Sequence, residues 1–553
     1  MPARFPVLAT AILTLVAGIA WPDARWAQAQ APALSGTVGS AEEATMEGVV
    51  VSATRTGATV TISAVSDDKG RFMFPAGRLE PGTYALRIRA TGYDLDDPKT
   101  VEIAASGTTA DLKLRKTRDL AAQMTNAEWI DSVPGTPDQK KFLYGCVNCH
   151  SLERVMRSTH GATEFMETMA RMAGYTNNSF WLHPQLRTKR RPLERDFGAD
   201  ADKQAAFLAS INLSKGDTWE YPLKTRPRVA GRGSRVLITE YVLPRRTIEP
   251  HDVIVDADGI VWFTEFGDQF LGRFDPKTLS LKEFPLPVHR PEFAKGALDL
   301  EVDPEGNFWL SLMHQTGVAR FDRKTETFQT WPLPPHIAND ESQQSMVGPQ
   351  QLTVDGKVWL NDAGIPGMHR LDLATGKVET WKPYEGLPKA PHSVYGIYAD
   401  SQNNIFFCDF GGENIGKIDA KTGKVSLYPT PTKRSRPRRG RMDAQDRLWF
   451  AEWRSDKVGM FDTKTETFKE WDVPTAYTAP YDVLLDKNGE LWTAGMNTDR
   501  ILRLDLETGK FTEYPLPGYT NIRRIFVDNK TTPVTFWVGN NHNASIIKLE
   551  PLD

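Results

Sequence analysis

From about Thr225 onward, apolar and polar positions alternate in short runs separated by turns. The clearest unit, "PHDVIVDADGIVWFTEFGDQFLGRFDPKTLSLKEFPLP", starts at Pro250, and its skeleton recurs to the C-terminus. Trp262, Trp309, Trp359, Phe406, Trp449, Trp492 and Trp537 align in seven copies spaced 43 to 50 residues apart. The units end on six versions of an Asp-x-x-Thr hairpin turn, among them "DPKTLSL", "DRKTETF" and "DLETGKF". Each copy holds about four strands, too few to bury both faces alone, and a period of about 45 residues predicts propeller blades. The seventh copy stops at "ASIIKLEPLD", where a fourth strand is due. The segment "VLITEYVLP" at 236–244 matches the closing strands "KEFPLP" and "TEYPLP". Pairing it into the last blade closes the ring and removes exposed edges.

From about Leu34 to Lys116 the runs are again of period two, as in "DDKGRFMF" and "LEPGTYALRIRATGY", and predict a small antiparallel β-sandwich. Gly70 and Gly82 sit where turns need positive φ, and Phe72, Phe74, Tyr84 and Leu86 alternate inward. This stretch resembles the carboxypeptidase regulatory-like family, whose fold is similar to transthyretin. It carries no cluster of catalytic residue types and reads as a binding or spacing module. Between the two β-rich regions the period changes: in "HGATEFMETMARMAGY" Phe165, Met169 and Met172 recur at helical spacing.

The first thirty residues place Arg4 before an uncharged apolar run, Val7 to Ala20, and then Ala27-Gln28-Ala29, the order of an export signal. No second apolar stretch reaches the roughly 20 residues of a spanning helix, so a soluble, periplasmic protein is expected. A formal net charge of −3 gives no lean toward nucleic acid or membrane surfaces.

Export sharpens the meaning of "CVNCH", residues 146–150, in a chain of three cysteines. Two nearby thiols in an oxidising compartment form a disulfide at least cost, but a disulfide gives no reason for His150. Covalent haem attachment does: Cys146 and Cys149 match the two porphyrin vinyl groups, and His150 becomes the proximal iron ligand. The motif resembles the c-type cytochrome family, which implies one haem c and electron transfer. A thioether often completes the coordination in that family, which points to Met172, with Met169, Met166, His160 and His183 as alternatives. The third cysteine, Cys408, lies in the apolar strand "IFFCDF" and reads as a buried small hydrophobe.

The repeats resemble the streptogramin B (virginiamycin B) lyase family in "PHDV", "VWFTEFGDQFLGRFD" and "LWFAEWRSDKVGMFD", over roughly 236–553. The resemblance implies a seven-bladed propeller and a Mg²⁺-assisted elimination with a histidine general base. The family's Pro-His and downstream glutamate match His251 and Glu265, fourteen residues apart. The second histidine of the family falls on Arg523 here, with Asn540 downstream. Around the ring this register reads His251, Leu298, Gln350, Tyr395, Arg438, Tyr481 and Arg523, and the downstream one Glu265, Leu312, Asp362, Asp409, Glu452, Gly495 and Asn540. Such positions lie near one mouth of the channel. Arg438 and Arg523 there suit an anionic small molecule or a docking surface better than a neutral lactone, while Glu265, Asp362, Asp409 and Glu452 with His251 in one ring suit a divalent-metal or ligand site. Arg523 is expected to pair with Glu265 if the two come close, and Arg438, Arg439 and Arg523 to steer a redox partner. The basic runs "KRSRPRRGR" at 433–441 and "RTKRRPLER" at 187–195 add to this rim or are solvated loops.

The chain therefore reads as mainly β. A signal peptide (1–29) precedes a transthyretin-like β-sandwich (33–116), a small α-helical cytochrome c domain (120–225) and a seven-bladed β-propeller (236–553). The expected function is a periplasmic c-type cytochrome whose propeller is a platform for a redox partner, a dehydrogenase or another cytochrome. The alternatives are a Mg²⁺-dependent carbon-oxygen lyase with an accessory haem, and a non-enzymatic binding scaffold.

Overall fold

The computed structural model describes residues 1, 31–198, 200–388 and 391–553. The export segment read at 1–29 lies, apart from Met1, outside the described residues.

The N-terminal module is a two-sheet sandwich. One sheet orders Arg71–Phe74, Leu34–Ser40, Leu112–Lys116 and Tyr93–Asp97; the other contains Val60–Val65, Val50–Arg55, Gly82–Arg89 and Thr100–Ile103. The period-two reading holds at the core. Phe72, Phe74, Tyr84 and Leu86 are all buried, and Gly70 and Gly82 take φ of +69° and +144°.

Seven antiparallel four-stranded blades follow, six of them within 250–285, 300–332, 347–381, 394–429, 437–472 and 480–515. The repeating tryptophans are buried between blades, and their indole N–H groups are not left orphaned. Trp262, Trp309, Trp449 and Trp492 donate to Asp256, Asp303, Asp443 and Asp486 at 2.8 to 3.0 Å, each Asp standing in the turn six residues earlier. In the Asp-x-x-Thr turns the carboxylate accepts backbone N–H groups of its own loop, as Asp275 does from Lys277 at 2.8 Å, and this holds its pKa below the usual carboxylate value.

Strand Val236–Val242 closes the seventh blade, pairing antiparallel with Ser545–Pro551. Its other edge, which an isolated propeller would leave open, pairs with Val60–Val65 of the sandwich from Leu237↔Ala64 to Tyr241↔Val60. One eight-stranded sheet therefore runs from the seventh blade into the sandwich. Ion pairs Arg78–Glu550 at 2.8 Å and Arg89–Asp499 at 2.6 Å reinforce the junction.

The segment between these β modules is a layer of short helices laid over one mouth of the propeller. Thr125 with Glu128, and Thr136 with Gln139, make capping boxes that start helices Asn126–Ser132 and Pro137–Phe142. Helix Ala162–Met172 turns Phe165 and Met169 inward, against helix Ala201–Ile211. Leu143, Tyr144, Val147, Leu152 and Phe165 share one apolar cluster with Phe266, Met313, Met346, Trp453 and Met496 of the propeller. The mouth is thus a buried interface, not a solvated opening. Among the described residues no helix is long and apolar enough to cross a membrane.

Removing residues 31–116 uncovers the backbone of Val236–Val242 as a free sheet edge. The truncated chain is expected to self-associate, measured by light scattering, while the full chain stays dispersed at the same concentration.

Candidate functional site at the propeller mouth

The tight turn Leu143–Asn148 follows helix Pro137–Phe142 directly. Its apolar residues Leu143, Tyr144 and Val147 anchor it in the interface, which leaves Cys146 and Cys149 half-buried. The two thiols are free, not joined as a disulfide. Burial pushes Cys146 up to about 12 and Cys149 up to about 11, with the Arg523 guanidinium opposing the shift at Cys149. His150 Nδ1 lies 2.9 Å from the Ser151 carbonyl oxygen, to which it donates. That bond fixes the tautomer with the lone pair on Nε2, which has no hydrogen-bond partner among the described residues. Burial also lowers the pKa of His150, favouring the neutral ring a metal needs. Two free thiols and one oriented, neutral imidazole fit a covalently held haem. Among the described residues no three His, Cys, Asp or Glu side chains converge as a metal cage.

The propeller grips this loop by its carbonyls. Arg523 Nη2 and His542 Nε2 both donate to the Asn148 carbonyl, at 2.8 and 3.0 Å, and Asn521 Nδ2 donates to that of Val147 at 3.1 Å. Tyr144 meets Trp453 edge-to-face at 5.0 Å, and Lys141 Nζ caps the Arg454 carbonyl at 2.6 Å. Sequence reasoning missed the propeller's half of this contact. The signal lay one residue past the downstream register, where the chain places Phe266, Met313, Ala363, Phe410, Trp453, Met496 and Asn541. Large apolar side chains in five blades suit a covered mouth, not a wet one.

Of the candidate sixth ligands, Met169 is 2% exposed inside the shared cluster and Met166 packs against it, whereas Met172 is 37% exposed and lies outside it. His160 packs against Phe165 at 5.5 Å. His183 Nδ1 is buried and without a hydrogen-bond partner among the described residues.

The lyase-like pair is placed differently from expectation. His251 is fully buried, its Nδ1 donating to Asp252 Oδ1 at 2.6 Å, its Nε2 3.5 Å from the Tyr481 hydroxyl, and its ring 4.6 Å from that of Phe266. Burial pulls its pKa down to about 3. Glu265 does not meet Arg523; its ion-pair partner is Arg245 at 3.3 Å, and burial, with Glu283 beside it, pushes the carboxyl up to about 9. Gln350 is not in the register either. Strand Val347–Gly348 pairs Gly348 with Trp359, so the position equivalent to His251 in the third blade is Ser345, and Gln350 instead donates to Glu301 at 2.9 Å.

Arg438 and Arg439 are not rim residues. The Arg438 guanidinium is buried over the rings of Tyr481, 3.8 Å away, and Phe410, 4.5 Å away. Arg439 is buried completely and pairs with Asp252 at 2.9 Å and Asp299 at 2.6 Å. Arg524 joins the same carboxylates at 2.8 and 3.0 Å and adds Glu301 at 2.8 Å. This ionic knot is contributed by the residues one place after the register and ties the first, second, fifth and seventh blades together. Glu452 is buried, accepts from Ser455 Oγ at 2.6 Å and is pushed up to about 8 by burial. Of the run 433–441, Lys433 and Arg434 are exposed, paired with Glu413 at 3.0 Å and Asp138 at 3.2 Å. In the run 187–195, Lys189 pairs with Asp340 and Arg191 with Glu341, each at 2.5 Å.

Residues 33–115 match the carboxypeptidase regulatory-like domain family. No curated protein matches the chain. Among solved structures, a streptogramin B lyase aligns at 23% identity over 58% of this chain and 99% of its own, with a TM-score of 0.50. A virginiamycin B lyase from Staphylococcus aureus aligns at 22% identity over 57% of this chain and 99% of its own, with a TM-score of 0.48. The likeness to the first of these is one of fold: the propeller.

Burial also pulls His314 down to about 3. A histidine whose folded pKa lies below its unfolded value of about 6.5 contributes no penalty above that pH, and its stability is lost as pH falls from there toward the folded value. His251 and His314 should each cost about 2 kcal/mol between pH 7 and pH 5. Urea midpoints measured at the two pH values should fall on acidification, and fall less in His251→Gln and His314→Gln.

Proposed function

We propose that the chain is an exported c-type cytochrome that transfers electrons to or from a partner protein, with the propeller and sandwich as its frame. The observation that carries this reading is the loop 146–150, in which two free thiols stand beside a histidine whose Nδ1 is committed to the Ser151 carbonyl at 2.9 Å. Cys146 and Cys149 would hold the haem by two thioethers, and His150 Nε2 would ligate its iron. Bound there, haem c supplies one-electron redox chemistry. Neutral His150 is kept in register by its carbonyl bond, and the anchors Leu143, Tyr144 and Val147 fix the loop that carries the thiols. Met169, buried in the same cluster, would be the second iron ligand in place of exposed Met172. The periplasm is the compartment that suits both the leader and the thioether chemistry.

Purified from a host that matures cytochromes, the protein should give a reducible c-type spectrum, with haem that stays attached in acid acetone. Cys149→Ala that kept the two-thioether spectrum would overturn the assignment. Met169→Ala should abolish the weak thioether-to-iron charge-transfer band of the oxidised protein, and Met172→Ala should leave it.

The lyase alternative requires an accessible base, and His251 lies under the helical layer with its Nδ1 on Asp252. No Mg²⁺-dependent opening of a cyclic depsipeptide is expected. Cleavage that slowed by about 10² to 10⁴ in His251→Ala, the range of general-base catalysis, would reinstate the lyase.

A further inference from the structure

The loop that carries the motif is held by a cation that, among the described residues, has no ion-pair partner. Arg523 is 4% exposed. Its Nε donates to Asn521 Oδ1 at 2.9 Å, its Nη2 to the Asn148 carbonyl at 2.8 Å, and its guanidinium lies 4.6 Å from the Phe266 ring centre. These partners are neutral, and among the described residues no carboxylate stands within ion-pair distance of it. Glu249, an acid close enough to feel the Arg523 charge, is itself buried with Oε1 unpartnered; burial raises its pKa well above the usual carboxylate value, and Arg523 opposes that rise. The contrast with the knot a few residues away is plain, since Arg524 next in sequence is matched by Asp252, Asp299 and Glu301. A buried charge left uncompensated costs several kcal/mol and persists where something else uses it.

Its position says what that use is. The Asn148 carbonyl lies between the two cysteines of the motif and receives two donors from the seventh blade, Arg523 and His542. Burial lowers the pKa of His542 to about 3, so His542 donates as a neutral ring and adds no charge. Arg523 is the buried permanent positive charge at the site, and exposed Arg154 is a second cation acting on His150.

We infer that the seventh blade is part of the cofactor site, with Arg523 as a positioning residue that holds the motif loop and biases the redox equilibrium toward the reduced state. The inference rests on the haem reading above. Adding one electron lowers the charge of the site by one, and a fixed buried cation stabilises that state in a medium of low effective dielectric. Two separate parts of the chain would thus build one site: the helical layer would supply the covalent attachment and iron ligands, and the propeller the buried charge.

The test is a spectroelectrochemical titration of the full-length holoprotein and of three variants, each first checked for covalent haem on a denaturing gel. Arg523→Gln should lower the midpoint potential by at least 59 mV, a tenfold shift in a one-electron equilibrium. Asn521→Asp, nearly isosteric and set against the Arg523 Nε, should lower it as well by neutralising the cation without removing it, and serves where the first variant fails to fold. Arg523→Lys keeps the charge and should retain most of the wild-type potential. Wild-type potential in Arg523→Gln or Asn521→Asp with haem attached, or a fall in Arg523→Lys as large as in Arg523→Gln, would overturn the inference and leave the haem reading standing. Wild-type protein without covalent haem would instead defeat the haem reading itself.

Discussion

The architecture depends on one strand that is hydrogen-bonded along both edges to different modules. Val236–Val242 completes the seventh blade on one side and extends the sandwich sheet on the other. The helical layer leaves the sandwich after Lys116 and must return to this strand, so its end is tethered at the seventh blade and its start to the sandwich joined to that blade. The layer cannot drift far from that blade's mouth. The motif loop accordingly lands on Asn521, Arg523 and His542, all from the seventh blade.

Once the layer covers the mouth, the chemistry available to the propeller changes. A wet mouth rewards polar side chains that reach a substrate; a covered one rewards apolar side chains and fully paired charges. Apart from Arg523, and Arg438 stacked on aromatic rings, the chain follows the second rule. Phe266, Met313, Trp453 and Met496 meet the layer, and deeper in the channel Arg439 and Arg524 neutralise Asp252 and Asp299. His251 is drawn into that deeper network through Asp252, which makes its imidazole part of the frame.

What could be read in the sequence followed from period. Tryptophan spacing, the Asp-x-x-Thr turns and the orphan strand at 236–244 gave blade number and ring closure, because these features repeat locally. The sandwich was equally legible in the alternation around Phe72 and Tyr84. The contacts that shape the site were hidden because they join residues hundreds of positions apart, as Arg523 with Asn148 or Arg439 with Asp252. The third blade misled because its inner strand shrinks to Val347–Gly348, which removes the hydrophobic stretch by which the register is counted. The arginine run at 433–441 looked like a solvated surface because a string of like charges does not show that Arg434 stands in an exposed turn while Arg438 and Arg439 lie in the buried start of strand Pro437–Met442. Met172 looked as good as Met169 because three residues separate them on one helix, and only the packing of the layer decides which faces inward.

The continuous sheet has a mechanical consequence. Modules joined by a flexible tether swivel, but here the sandwich can rotate against the propeller only by tearing backbone pairs between Val60–Val65 and Val236–Val242 in the middle of a girder. Anything that grips the sandwich therefore holds the motif loop at a set distance and angle. A surface or filament bound there would present every copy of the protein with the same side facing outward, as a bracket holds a lamp.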